Sequence, residues 1–162
     1  MVALAKSNGG YTETLCTDLS SALCLYDRED KKFNMIVAAD TFLYVGALSN
    51  IFRLAHLALQ SGGLFMFSTE DLDSSPMKIT ANKILEHKDV LNESTVLENE
   101  PVGAVKGWGV QLLSSARFAH SSSYINQLAD MHQFSIIRTV DIVIRKEQTV
   151  PLPGKIFILQ RI

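Results

Sequence analysis

Phe33-Asn-Met-Ile-Val-Ala-Ala-Asp40, followed by Thr41-Phe-Leu-Tyr-Val-Gly46, is the stretch around which the chain is organised. Met35 to Ala39 is an unbroken apolar run rich in β-branched residues, which predicts a strand buried on both faces. It closes on Asp40. An acid at the carboxyl end of a parallel strand sits where open α/β sheets bind their ligands. Desolvating a core carboxylate is costly, so Asp40 is expected at the sheet rim. Its other reading is an acid that caps the following helix.

Working outward, Leu48 to Leu59 carries apolar residues at 48, 51, 52, 54, 55, 58 and 59, the stripe of an amphipathic helix. Gln60-Ser-Gly-Gly63 is expected to stop it, and Leu64-Phe-Met-Phe67 to form the next buried strand before Ser68-Thr69-Glu70. Strand, helix, glycine turn and strand together predict a βαβ crossover. Upstream, Met1 to Ser7 followed by Asn8-Gly-Gly10 reads as the end of a helix, and Tyr11 to Leu19 as a short strand closing on Thr17-Asp18. Ser20-Ser21 is a candidate cap over Ala22 to Tyr26.

Downstream, 71–109 is polar, holds Pro76 and Pro101, and reads as an insertion over one rim of the sheet. Gln111 to Leu113 and Arg117 to His120 look β-like. Ser121-Ser-Ser123 is expected to cap a helix running to about His132, with Tyr124, Leu128 and Met131 on its inner face. Ile137, Val140, Ile142 and Ile144 alternate along a strand over Ser135–Arg145. A turn at Pro151 and Pro153-Gly154 then leads to the last strand, Lys155 to Ile162, so the chain ends in an antiparallel hairpin. The expected sheet places Phe33–Ala39 beside Gly63–Phe67, then Lys155–Arg161, then Ser135–Arg145 at the edge. Leu64, Phe65, Phe67, Val37, Ile156 and Ile158 are its expected core.

Composition limits the function. At 162 residues the chain is one domain able to bury a core, and 47% hydrophobic with 20% charged residues suits a globular protein. A net charge of −2 gives no attraction to nucleic acid or to acidic membranes. Cys16 and Cys24 match no zinc or disulfide spacing, so no metal is called and a reducing, cytoplasmic setting is expected.

The ordered set IVAAD, FLYVG, LALQSGGLFMFSTE and the terminal hairpin resembles the second half of a class I S-adenosylmethionine-dependent methyltransferase. RFAHSSSYINQLADMHQF (117–134) and IRKEQTVPLPGKIFILQR (144–161) bring it nearer to bacterial-type methyltransferases associated with tetratricopeptide repeats. The resemblance covers nearly the whole chain outside about 71–100. It implies an α/β fold, a partial Rossmann-like sheet with helices on both faces and a C-terminal antiparallel hairpin. It also implies one domain over 1–162 without the first two strands, with Met1 in the helix after the second of them.

By the same resemblance the cofactor is S-adenosylmethionine. Thr17, Asp18 and Leu19 would meet its adenine, and Ala38, Ala39 and Asp40 would line its methionine and sulfonium end. Tyr44 would close over the transferred methyl, or else pack in the core. His120 would act as general base, or else bond to backbone. His56 and His87 are expected at the surface. Trp108 is a candidate substrate lid or an anchor for the insertion. The acceptor is a small molecule or a protein side chain.

The glycine-rich loop that approaches the cofactor in this family, and the acid that holds its ribose, are absent from the sequence. Losing a charged hydrogen-bond partner costs about 1.5–3 kcal/mol. A micromolar site stripped of roughly 4 kcal/mol becomes about millimolar. The chain alone is therefore expected to bind the cofactor weakly and to be inactive, and the bare strand edge to favour self-association. A degenerate methyltransferase-like binding or structural domain is the alternative, and a fragment of a full enzyme a third reading.

Overall fold

The structure, a computed structural model, describes residues 2–28, 32–74, 109–147 and 149–162. Most of the expected insertion, with His87 and Trp108, lies outside them.

At the centre are β1 (Phe33–Ala38), α3 (Ser49–Ala58) and β2 (Leu59–Asp71). β1 and β2 are parallel, with Met35 opposite Leu64 and Ala38 opposite Phe67. The helical stripe is as expected: Ile51, Phe52, Leu54, Ala55 and Ala58 are buried. Gln60 to Gly63 does not end the helix, which stops at Ala58; it forms an irregularity inside β2 instead. A Cβ on Gly63 would stand 2.8 Å from the Gln60 carbonyl oxygen, so only glycine lets the strand double back there.

The chain ends in a long hairpin of β5 (Phe134–Glu147) and β6 (Val150–Arg161). β6 lies antiparallel to β2 from Leu64↔Gln160 to Glu70↔Gly154, and β5 antiparallel to β6. The spatial order β1, β2, β6, β5 is the expected one. The turn is not at the prolines: Thr149, with φ of 73°, lies at the tip, and Pro151 and Pro153 lie within β6. They are tolerated because β6 has β5 on one side there, its pairing with β2 reaching only to Gly154.

Two short strands, β3 (Val110–Leu112) and β4 (Phe118–His120), pair with each other, and β4 continues parallel to the far end of β2 at Glu70 and Asp71. The sheet forks where β1 ends and β4 begins. A single 3-10 turn, Phe42–Tyr44, fills the fork, with Phe42 and Leu43 fully buried. β2 thus runs past Ser68 into Glu70 and Asp71, whose carboxylates are paired with Arg145 and Lys155.

α4 (Ser122–Met131) begins where Ser121 accepts a hydrogen bond from the Tyr124 amide at 3.2 Å, the expected cap. Tyr124 and Leu128 face inward, whereas Met131 is exposed. α1 (Val2–Ser7) ends before Gly9, whose φ is 65°. Tyr11 to Leu19 forms no strand. A strand needs a partner, and among the described residues β1 pairs with β2 alone.

Asp18, not Ser20-Ser21, caps α2 (Leu19–Arg28): its Oδ1 accepts from the Ser21 amide at 2.9 Å. α3 and α4 pack on one face of the sheet, and α2 packs on α3. Phe52, Phe65, Phe67, Phe134 and Phe157 interlock there, with Phe65 and Phe67 rings 4.9 Å apart. Each buried phenylalanine contributes about 1.5–3 kcal/mol.

On the opposite face, apolar residues of the described strands stand open to solvent, Met35 and Val37 among them. β1 is therefore buried on one face only, contrary to the reading of its apolar run. Met35 is 47% and Val37 59% exposed, while Leu64, Ile156 and Ile158 are half-buried. Strand residues alternate between faces, so Val37 leaves the expected core by pointing to the uncovered side.

Candidate functional site

Where β1 ends the backbone turns sharply: Asp40 adopts φ of 53°, a left-handed conformation that aspartate tolerates better than most residues. Its amide donates to the Ser68 Oγ at 2.9 Å, tying the end of β1 to the neighbouring strand. Thr41 Oγ1 donates to the Ala39 carbonyl at 3.0 Å and tightens the same turn. The side chain of Asp40 is left exposed at the rim.

A cavity of about 430 Å³ opens beside it on the uncovered face. Val37, Met66, Ile142, Ile144 and Ile156 line its apolar part, and Ala39, Asp40 and Ser68 its polar end. A mostly apolar hollow with a few convergent polar groups is the usual form of a small-molecule site. One carboxylate at the mouth favours a ligand that carries positive charge beside an apolar group.

The expected site residues separate into groups. Ala39 and Asp40 line this cavity. Ala38 is buried and belongs to the aromatic core on the helical face. Thr17 lines a different hollow, of about 360 Å³, together with Cys16, Ser21 and Cys24. Asp18 is engaged as the cap of α2, and its hydrogen bonds from Ser21 hold its carboxyl below the usual range. Leu19 packs against the core rather than standing free for a ring edge. The adenine contacts drawn from the resemblance are thus not brought together with Ala39 and Asp40 among the described residues.

Tyr44 is 63% exposed, with the Arg117 guanidinium 5.9 Å from its ring centroid, so it does not pack in the core. His120 is 1% exposed. Its Nε2 lies 2.9 Å from the Gly46 carbonyl oxygen, its ring stacks on Tyr124, and its Nδ1 has no hydrogen-bond partner among the described residues. Burial pushes its pKa down, opposed by the hydrogen bonds to Gly46 and Val45. A general base must reach its substrate, and this ring reaches the loop after the 3-10 turn instead. A Cβ on Gly46 would stand 2.9 Å from the Phe118 ring, so the loop is packed tightly over β4. His56, expected at the surface, is half-buried against Phe134, and burial lowers its pKa too.

Five participants carry no mark of their role in the sequence. Ser68 follows an apolar strand and carries no mark of its bond to Asp40. Ile142 and Ile144 reach the cavity from the far end of the chain. Glu70 and Arg145, two residues beyond Ser68 on β2 and one beyond Ile144 on β5, form an ion pair in which Glu70 is buried and Arg145 partly exposed. Among the described residues no group of three histidine, cysteine or acidic side chains is placed to hold a metal ion.

No protein-family model matches the chain, and no curated protein matches its sequence. Solved structures do match. A SAM-dependent methyltransferase from Methanosarcina mazei superposes with a TM-score of 0.59 at 14% identity, over 99% of this chain and 77% of that one. Magnesium protoporphyrin IX methyltransferase from Synechocystis PCC 6803, with bound SAH, gives 0.56 at 13% identity, over 100% and 60%. The [4+2]-cyclase SpnF gives 0.57 at 9% identity, over 99% and 61%. The chain therefore spans less than two thirds of the last two. The likeness establishes the fold: α/β, Rossmann-like, as in class I SAM-dependent methyltransferases. A cyclase among the neighbours shows that this fold does not by itself name a reaction.

Proposed function

We propose that the chain is a methyltransferase-type domain whose rim at the end of β1 takes the methionine and sulfonium end of S-adenosylmethionine. The observation that carries this reading is the apolar hollow closed at one end by Asp40 and Ser68, at the carboxyl end of a parallel strand of a methyltransferase fold. When bound, the cofactor supplies a methyl group on a positively charged sulfur. Asp40 would face that charge, and the Ser68 hydroxyl would hold the Asp40 backbone in place. Met66, Ile142 and Ile156 would exclude water from the transferred methyl, a step that depends mainly on proximity and orientation.

Among the described residues, those at the end of β1 fit this end of the cofactor and no more of it. Asp18 is occupied as a helix cap and Leu19 is packed against the core, so neither serves the adenine. His120 is assigned to holding the Gly46 loop rather than to moving a proton. The acceptor is a small molecule or a protein side chain, and binding of the cofactor to this chain is weak.

Isothermal titration with S-adenosylmethionine tests the reading. The expected affinity is about millimolar, lost on Asp40→Asn and unchanged on Asp18→Asn. No saturable binding would leave a degenerate domain of methyltransferase fold without its cofactor. Low-micromolar binding would mean that a complete cradle exists, and the partial fit described above would be wrong.

A further inference from the structure

Two contacts fold the segment before α2 back along that helix. At its start the Asp18 Oδ1 accepts from the Ser21 amide at 2.9 Å. Further along, the Tyr26 hydroxyl donates to the Glu13 Oε2 at 3.5 Å, joining the later part of α2 to a residue well ahead of the cap. Residues 13–18 therefore run antiparallel beside residues 21–26, and Cys16 and Cys24 fall between the two contacts. Both line one hollow of about 360 Å³, with Leu15, Cys16 and Thr17 on one wall and Ser21, Cys24 and Leu25 on the other. Positions i, i+3 and i+4 share a helix face, so α2 presents Cys24 to the hollow together with Ser21 and Leu25. Both thiols are free. Cys24 is partly buried against the core, and packing as a small apolar residue accounts for it. Cys16 is exposed, and packing does not account for it.

We propose that Cys16 and Cys24 form a reversible dithiol–disulfide site, closed by exchange with a low-molecular-weight disulfide such as oxidised glutathione. The thiolate of the exposed Cys16 attacks the reagent disulfide, forming a mixed disulfide and releasing one thiol. The Cys24 thiolate then attacks the Cys16 sulfur, the bond to the reagent breaks, and the second thiol leaves. The protein gives up two electrons and two protons, and the reagent carries them away as two thiols. A disulfide needs Cα atoms about 4.4–6.8 Å apart. Cys24 is held in α2, whereas Tyr11 to Asp18 belongs to no helix or strand, so the adjustment falls on Cys16. The bond crosses the hollow and pins the segment to the helix. It closes a short local loop and staples no core, as is usual for transient, redox-sensing pairs. The hollow is separate from the one beside Asp40, so the site stands independently of the proposed cofactor.

Mass analysis of the whole chain after exposure to oxidised glutathione tests it. Trypsin cleavage after Lys6 and Arg28 leaves both cysteines on one peptide, where an internal bond reads as the loss of two hydrogens. The wild type is expected to end in that form and to return to two free thiols with dithiothreitol. Cys24→Ser is expected to retain glutathione on Cys16, and Cys16→Ser to take it up at least about tenfold more slowly. The ratio of internal disulfide to glutathione adduct is expected to be at least about tenfold higher in the folded chain than in concentrated urea. Circular dichroism confirms that each variant folds. A wild type that stops at glutathione adducts overturns the proposal, and so does one that links two chains. An equal ratio with and without urea overturns it too, because nearness in sequence would then account for the bond.

Discussion

One face of the sheet is sealed and, among the described residues, the other is bare, and the same strands make both. On the sealed face Phe65, Phe67, Phe157 and Leu159 are at most 2% exposed beneath α3 and α4. On the bare face Val37 is 59% exposed, although Ala38 beside it in sequence is buried. Both sets of residues are apolar. Burial in this protein is therefore decided by which elements cover a face, and apolarity alone marks only the capacity to be covered.

The largest expected effect tests the sealed face. Phe65→Ala removes a ring packed against Phe52, Phe67 and Phe134 and is expected to cost about 3–5 kcal/mol in urea denaturation. A loss below about 1 kcal/mol would put Phe65 outside the core. Next comes the ion pair past Ser68. Arg145→Ala leaves Glu70, whose side chain is 4% exposed, without its cation. An expected loss of about 1.5–3 kcal/mol follows from stranding a buried charge, measured by the same denaturation at neutral pH. No measurable change would show that water reaches the pair.

The third test is pH. Burial lowers the pKa of His120 from 6.5, and burial lowers those of His56 and His132 as well. A folded pKa below the unfolded one makes protonation favour unfolding. Stability is thus complete above 6.5 and is lost as the pH falls from there through the depressed folded values. His120→Gln is expected to flatten that loss, because His120 is the most deeply buried of the three. An acid limb unchanged by this substitution would sink the assignment. The smallest effect belongs to the bare face: Val37→Thr, keeping a β-branched side chain, is expected to stay within about 0.5 kcal/mol of wild type. A cost comparable to that of Phe65→Ala would mean that something covers Val37.

Much of the frame was legible from local pattern. The 3.6-residue stripe from Ile51 to Ala58, the Ser121 cap and the alternation along β5 each report a single element, and each is where the sequence placed it. The order β1, β2, β6, β5 was legible through the resemblance to a known fold. What escaped depended on a second segment. The prolines at 151 and 153 look like a turn until the reach of β2 along β6 is known. Tyr11 to Leu19 looks like a strand until the lack of a described partner for it is known.

The site divides along the same line. By itself the sequence determined that an apolar strand ends on an acid, because that is written in eight consecutive residues. Only the tertiary structure decided that Ser68 pins that acid's backbone, that Ile142 and Ile144 floor the cavity beside it, and that His120 is shut away under Gly46. Those contacts join residues far apart in the chain. Local patterns set which way a side chain can point, and only long-range packing sets what it meets there.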